Sequence, residues 1–241
     1  MLTFFRKIRQ RLFSENKFTK YLIYAIGEIL LVVVGILLAL QVNNWNNERA
    51  DGKRELKILN EMNQNLDMNM KRFSGEIERQ DSIIRNIDIV MYQVKSGLMY
   101  HDSMGTKYAS IAWTEEFNFA NSSFESLQTY GLDLISSDSL RENIINLFNV
   151  RYVSISDVID KVSGFEYAEL IRHWHKYIEY DKQGNAVVID FNNLKSDKKF
   201  TNMLSGRRVW KMDLISIYKE LIKESNLLSI MIEKELNRRS K

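Results

Sequence analysis

The sequence predicts an all-α membrane protein with one N-terminal transmembrane helix, a long heptad-patterned helix and an antiparallel helical bundle. Three observations lead to this prediction. Residues 21–42 form an apolar run of 22 residues with a single charge, at Glu28. Proline, which interrupts helix interiors, is absent from all 241 residues. After the apolar run, apolar residues keep a heptad spacing over about six heptads, as in helices that pack along a seam.

Residues 1–20 form a basic arm with six lysines and arginines against one glutamate, a net charge of +5. Phe5, Ile8 and Leu12 recur at helical spacing, so we expect a short amphipathic helix over residues 1–13 in the lipid headgroups; a disordered basic tail is the alternative. Only four lysines and arginines lie in the fifteen residues after the apolar run. This bias favours a cytoplasmic N-terminus.

The apolar run is long enough to cross a bilayer. As a helix it spans about 33 Å, against a hydrocarbon core of about 30 Å. No second apolar run of that length follows, so the prediction is a single-pass protein with a basic arm (1–20), a transmembrane helix (21–42) and an extracytoplasmic helical domain (43–241). Residues 39–41 do not form a small-x-small cleavage site, which favours an uncleaved signal anchor over a signal peptide.

One face of the transmembrane helix combines a carboxylate with small residues. Glu28, Val32, Gly35 and Ala39 follow helical spacing, and Gly35 with Ala39 permits close approach of two helix backbones. We therefore predict a membrane-helix interface at these four residues, for a second copy or for another membrane protein. The alternative is that the apolar core begins near Ile29 and that Glu28 lies at the headgroups.

The long helix is predicted from about Glu48 to Ser96, with a seam of a and d positions. The a positions are Leu56, Asn63, Met70, Ile77, Ile84 and Met91, and the d positions are Leu59, Leu66, Phe73, Gln80, Ile87 and Val94. Ten of the twelve are apolar, while Asn63 and Gln80 are candidates for buried polar groups that fix register. The pattern leaves open whether the seam packs within one chain or between two.

The remaining elements follow from breaks in the apolar period. Residues 97–112 lose the period and predict a loop. Four helices are then expected, at 122–130 with Gly131 at its end, from Ser137 or Asp138 to about 152, from Ser154 or Ser156 to about 180, and at 195–204. Residues 181–185 predict a turn, and 186–191 resemble a short strand without a partner. A last long helix is expected at 207–239.

The extracytoplasmic domain offers little catalytic chemistry. Residues 43–241 carry 28 lysines and arginines against 29 acidic residues, so they lack the basic excess typical of nucleic-acid-binding domains. Cysteine is absent, which excludes disulfides and thiolate chemistry. Glu169 and His173 share a helix face, but no third ligand follows, so an amphipathic helix is favoured over a zinc site. Helix capping explains the serines at 122–123 and 136–139 better than a nucleophile does.

Two stretches resemble a family of small single-pass membrane proteins of Bacteroidota that is known only as a domain of unknown function. The first stretch comprises Glu15–Phe18, Lys20–Tyr21, Tyr24–Glu28, Gly35–Leu37, Ala39–Gln41 and Asn43–Asn46, and the second comprises Phe124–Leu127, Gly131, Leu134–Ile135, Leu140–Arg141 and Ile144–Ile145. The resemblance implies an inner-membrane protein of a Gram-negative envelope with its domain in the periplasm. It implies no activity, cofactor or catalytic residue.

The function predicted from these observations is that of a membrane-anchored interaction or scaffold protein. Its expected partners are the lipid bilayer and a second copy or another envelope protein, with no cofactor, metal or catalytic residue identified. A periplasmic sensor is one alternative. It would have to signal through a partner, because the cytoplasmic arm is too short for an output domain. A membrane-anchored enzyme with an unrecognised site is the other.

Overall fold

The computed structural model of the chain describes residues 18–112, 114 and 116–239. The amphipathic helix predicted for residues 1–13 lies outside them. The chain divides into two compact units, Met1–Arg54 and Glu55–Lys241. The three predicted domains, 1–20, 21–42 and 43–241, remain a prediction.

The first unit consists, in its described part, of the start of helix α1 (Phe18–Ser96). Among the described residues, α1 is the one helix long and apolar enough to cross a membrane; its most apolar stretch has a mean hydropathy of 2.6 and is not buried. Apolar side chains in this unit are therefore exposed all around the helix. This criterion for a membrane-spanning helix considers only the length and the composition of the helix.

The second unit is a helical bundle with one small hairpin, so the predicted all-α class is confirmed. Besides the rest of α1, its helices and strands are α2 (Gly105–Ile111), α3 (Ser122–Tyr130), α4 (Asp138–Ile145), α5 (Tyr152–Trp174), β1 (Ile178–Tyr180), β2 (Ala186–Val188), α6 (Phe191–Ser196) and α7 (Lys198–Arg239). Short 3-10 turns at Asp102–Met104 and Leu132–Leu134 precede α2 and α4.

Helix α3 matches its predicted bounds. It ends at Gly131, whose backbone has φ +103° and whose N–H donates to the carbonyl of Leu127. Ser137 is the N-cap of α4, as predicted, and its hydroxyl accepts from the N–H of Leu140. The predicted break between α4 and α5 is instead a π-helical turn, Asn146–Arg151, so the helix continues and places Phe148 and Tyr152 in the core.

Two predictions for the middle of the chain are wrong. Residues 97–112 are not all loop, because α2 forms there and buries Tyr108 and Ile111. The helix predicted to reach residue 180 ends at Trp174, and Ile178–Tyr180 forms a strand that pairs antiparallel with Ala186–Val188. The strand lacked a partner in the sequence analysis because the helix had been extended over that partner.

The helices predicted at 195–204 and 207–239 are divided differently in the structure, where residues 195–196 end α6 and residues 198–239 form one helix. Helix α7 is continuous over 42 residues, since nothing between residues 204 and 207 interrupts it. It runs antiparallel to α1, because Asp88 pairs with Arg208 while Asn63, earlier in α1, bonds to Ser229, later in α7. The seam of α1 is therefore covered by segments of the same chain.

The bundle holds two separate hydrophobic clusters. One joins Leu59–Phe73 of α1 to Leu214–Ile232 of α7 and to α3, α4 and α5. The other joins Ile83–Val94 to α2, the hairpin and Phe200–Leu204. Three buried polar residues lie between the segments that form the two clusters. Gln80 is the one on α1, and Arg207 and Lys211 are on α7. We call these three residues the polar layer.

Candidate functional site

A stack of aromatic rings lies where α1, α7 and the segment after α2 meet. The ring centroids of Phe73 and Phe117 are 5.7 Å apart, and those of Phe73 and Tyr218 are 5.8 Å apart, with interplanar angles of 10° and 23°. Phe119 packs against Tyr152 at 4.8 Å. Such offset and tilted contacts add to the stabilisation by buried area, so this cluster is a rigid floor.

An open groove of about 900 Å³ lies above this floor. Its lining residues are Arg72, Phe73, Glu76, Arg79, Ala112, Thr114, Glu116, Phe117, Asn118, Phe119 and Tyr218. This volume is within the range of ligand pockets in proteins, which combine aromatic surfaces with a few polar groups. The groove is therefore a concave site that combines an aromatic floor with polar and charged side chains.

Charged side chains of both signs line the rim of the groove. Glu76 pairs with Arg79, N to O 3.6 Å, one turn along α1. Arg72 and Glu116 make no ion pair or side-chain hydrogen bond with any residue that the structure describes. The rim thus offers one cation and one carboxylate to a bound molecule.

Two buried asparagines of α1 position the segment that forms one wall. Asn69 donates to the carbonyl of Ala120 at 3.0 Å and accepts from the N–H of Ala120 at 2.6 Å. A carboxamide carries both a donor and an acceptor, so it satisfies both backbone polar groups of Ala120. Four residues earlier, Asn65 accepts from the N–H and the hydroxyl of Ser123. It caps α3, whose own N-cap residue, Asn121, makes no side-chain cap bond.

The other end of this wall is held by the polar layer. Arg207 is 2% exposed and donates from Nε to the carbonyl of Ile111 at 2.6 Å, and Lys211 is fully buried. Gln80 donates to Glu76 at 3.4 Å, while its buried Oε1 accepts no hydrogen bond from a described residue. Buried polar groups normally carry partners because desolvation is costly. The three residues of the polar layer therefore interrupt the apolar core of α1 and α7 between the two hydrophobic clusters.

The predicted seam lies along the buried side of α1, but off its centre. The six d positions are all buried and the six a positions are all half-buried. Burial extends instead to Glu55, Met62, Asn69, Ile83 and Val90 on the other side of the d positions. Two of these five residues, Glu55 and Asn69, are polar. A prediction that counts apolar residues therefore chooses the a positions, although the helix buries the flank on the other side of the d positions. Asn63 is half-buried and Gln80 is buried.

The predicted membrane-helix interface lies in the first unit. Val32 is 56% exposed. A Cβ added at Gly35 would meet no atom within 4 Å. Glu28 and Val32 line a shallow depression with Ala25, Ile29 and Val33. Among the described residues of this face, Val32, Gly35 and Ala39 are exposed, whereas Glu28 is half-buried.

His173 belongs to a hydrogen-bonded cluster around Asp197, the residue before α7. Asp197 accepts from Tyr177 at 2.7 Å, and its Oδ2 lies 2.8 Å from Nε2 of His173. Its other oxygen accepts from the N–H of Lys199 at 2.8 Å. The Tyr177 hydroxyl, followed by the backbone N–H groups, lowers the pKa of Asp197 to about 2. Glu169 pairs with Arg172 instead. In the described part of the chain, no His, Asp and Glu cluster has metal-binding geometry.

A buried carboxylate at the start of the bundle, Glu55, bonds to residues near its other end and in its middle. Glu55, 3% exposed, accepts from the N–H of Ser136 at 2.9 Å and pairs with Arg239 at 2.8 Å. Arg239 also bonds to Ser136. Glu235 pairs with Arg238 and Arg239, and its pKa falls to about 2, chiefly through the bond from Arg238. No local sequence pattern predicts this cluster, because its members are 81 and 103 residues apart.

Comparison with known families places the chain. The model of DUF6090, a family of unknown function, matches residues 28–161, which is more than half of the sequence. The chain belongs to this family. The matched region begins at Glu28 and ends within α5, so it includes the two asparagines and most of the groove but not α7. No curated protein matches the sequence, and no solved structure does.

Proposed function

We propose that this DUF6090 protein is a membrane-anchored interaction protein whose bundle binds a partner in the groove above Phe73 and Phe117. The observation that carries the proposal is this groove, in which an aromatic floor meets a rim with Arg72 and Glu116 unpaired among described residues. Rigid aromatic surfaces flanked by charges are typical of binding hot spots. The exposed apolar start of α1 supports the anchoring.

The proposed topology has the basic arm in the cytoplasm, one span of the inner membrane and the bundle in the periplasm. The charge bias across the apolar run supports this orientation. The resemblance to envelope proteins of Bacteroidota supports the compartment. The orientation is tested with a reporter enzyme that is active only outside the cytoplasm. Fused after residue 241, it should be active. Activity only of a cytoplasmic reporter would reverse the topology.

The partner site is tested by site-specific photo-cross-linking of the full chain in native membranes. With the cross-linker at Asn118 in the groove, we expect an adduct of defined mass that is lost in Arg72→Glu. The matched control is Arg85→Glu, an exposed arginine of the same helix that does not line the groove. An adduct that survives Arg72→Glu, or that both variants abolish equally, contradicts the groove as partner site.

A sensor or an enzyme would hold a small molecule in the same groove, whose volume also suits such a ligand. The melting temperature of the detergent-solubilised chain, measured with and without each member of a metabolite collection, distinguishes a small-molecule site from a partner site. An increase in melting temperature that Arg72→Glu removes would favour the small-molecule alternatives over the interaction protein.

We also propose that the Glu28, Val32, Gly35 and Ala39 face binds a second copy or another membrane helix. Close backbone approach at Gly35 and Ala39 would favour van der Waals packing between helices in lipid. Cross-linking in membranes should give less oligomer for Glu28→Leu and Gly35→Leu than for the unchanged chain. An unchanged yield in both variants would exclude this interface.

A further inference from the structure

An aromatic and a cationic side chain lie together just beyond the apolar run. Trp45 is 62% exposed. The guanidinium carbon of Arg49, one turn later, lies 6.0 Å from the centroid of the Trp45 ring, at the usual limit for a cation–π contact. Both residues belong to the first unit, and they play no part in the groove.

The geometry directs Arg49 back toward the apolar run. Side chains on a helix tilt toward its N-terminus, and the contact of Arg49 with the earlier Trp45 shows that tilt. By helical rise, Arg49 begins about 10 Å beyond Val42. A headgroup layer is about 5–8 Å thick on each side of the hydrocarbon. Its side chain, which extends back by one turn, therefore reaches that layer.

Arg49 is not neutralised by an ion pair within the described residues, although Glu48 precedes it in the sequence. It makes no ion pair or hydrogen bond with any residue in the described part of the chain, whereas Arg54 pairs with Asp51 at 2.7 Å. Leu38 and Val42, seven and three residues before Trp45, share its helix face and are more than half exposed. The face thus continues from an apolar strip through an aromatic ring to an unpaired guanidinium.

We infer that Trp45 and Arg49 form a binding site for the phosphate of a membrane phospholipid, with one acyl chain along Leu38 and Val42. The inference rests on the proposed membrane anchoring. Guanidinium groups bind phosphate oxygens in a bidentate manner, and tryptophan favours the lipid interface. The lipid supplies the phosphate together with the apolar chain, so inorganic phosphate alone lacks half of the contacts.

The test is native mass spectrometry of the full chain, released from mild detergent after incubation with one lipid at a time. We expect phosphatidylglycerol to remain bound to the unchanged chain, and its apparent affinity to fall about fivefold in Arg49→Gln. Lys53→Gln is the matched control, because it removes the same charge from the same face one turn farther from the apolar run. Arg49→Lys should restore part of the affinity.

Four outcomes would overturn the site. The first is equal affinity in Arg49→Gln and the unchanged chain. The second is an equal loss in Lys53→Gln, which would indicate general charge attraction. The third is displacement of the lipid by millimolar inorganic phosphate. The fourth is equal binding of a galactosyl diacylglycerol that lacks phosphate. Alkaline extraction of the same membranes, in which Arg49→Gln should remain in the pellet, separates failure of this site from failure of the anchoring.

Discussion

Asn69 illustrates how much of the groove depends on single buried side chains. Its carboxamide bonds to both backbone groups of Ala120, and no atom of the residue is exposed. Asn69→Ala removes the partner of the N–H and the C=O of Ala120, a half-buried residue, so we expect a loss of about 1–3 kcal/mol of unfolding free energy. Urea denaturation measures it. Asn60→Ala, which removes an exposed amide of the same helix, should change stability by less than about 0.5 kcal/mol.

Two carboxylates predict how stability depends on pH. The bond from Arg238 lowers the pKa of Glu235 from 4.5 to about 2, and the bond from Tyr177 lowers that of Asp197 from 3.8 to about 2. A carboxylate whose pKa is lower in the folded state than in the unfolded state stabilises the fold at pH values above its unfolded-state pKa. This stabilisation is lost as the pH falls through the folded-state pKa. Melting temperature should therefore decrease between about pH 4.5 and 2.

The variant Glu235→Gln isolates one contribution to this acid dependence. It lacks the ionised carboxylate at every pH, so it should be less stable than the unchanged chain near pH 7 and should lose less stability on acidification. Parallel curves for the two proteins between pH 4.5 and 2 would show that Glu235 does not contribute.

At the scale of elements, two glycines have opposite roles. Gly131 ends α3 at φ +103°, a conformation that other residues rarely adopt, so Gly131→Ala should cost about 1–3 kcal/mol. Gly206 lies inside α7, where an added Cβ meets nothing within 4 Å. Gly206→Ala should stabilise by up to about 1 kcal/mol. Thermal unfolding of both variants checks the pair, and a gain in stability for Gly131→Ala would contradict the account of how α3 ends.

Which elements were predictable depends on how local their causes are. The part of α1 from Glu48 to Ser96 follows from periodicity and α3 from its end at Gly131, which are features of neighbouring residues. The sequence predicted residues 21–42 as a separate helix, whereas α1 is continuous from Phe18 to Ser96. The turn at 181–185 and a short strand after it were predicted, but the first strand, Ile178–Tyr180, was missed because it continues the apolar stripe of α5. Helix α2 was missed because its two core residues, Tyr108 and Ile111, are too few to establish a period.

The candidate site was less predictable than the fold. The groove depends on Asn69 reaching Ala120 and on Arg207 reaching Ile111, contacts that span 51 and 96 residues. Local patterns in the sequence do not predict contacts between residues so far apart in the chain. The one local signal was the spacing of Asn65 and Asn69 beside the apolar d positions, which marks two polar groups on the buried flank of α1.

For the whole molecule, the described structure separates an unburied apolar helix from a bundle that completes its own core. The bundle needs no residue before Glu55 for its two hydrophobic clusters. We therefore expect residues 55–241 alone to be soluble and to unfold cooperatively, with helical circular dichroism. Aggregation of this fragment, or a gradual loss of helix on heating, would indicate that the first unit is needed for folding.

Membrane fractionation of the full chain tests the central claim, that residues 21–42 anchor the bundle in a bilayer, most directly. After lysis without detergent and extraction at alkaline pH, the chain should stay in the pellet at its full mass and enter solution only with detergent. Recovery of the intact, unprocessed polypeptide in the aqueous supernatant would contradict the anchoring, and with it the topology and the lipid site proposed above.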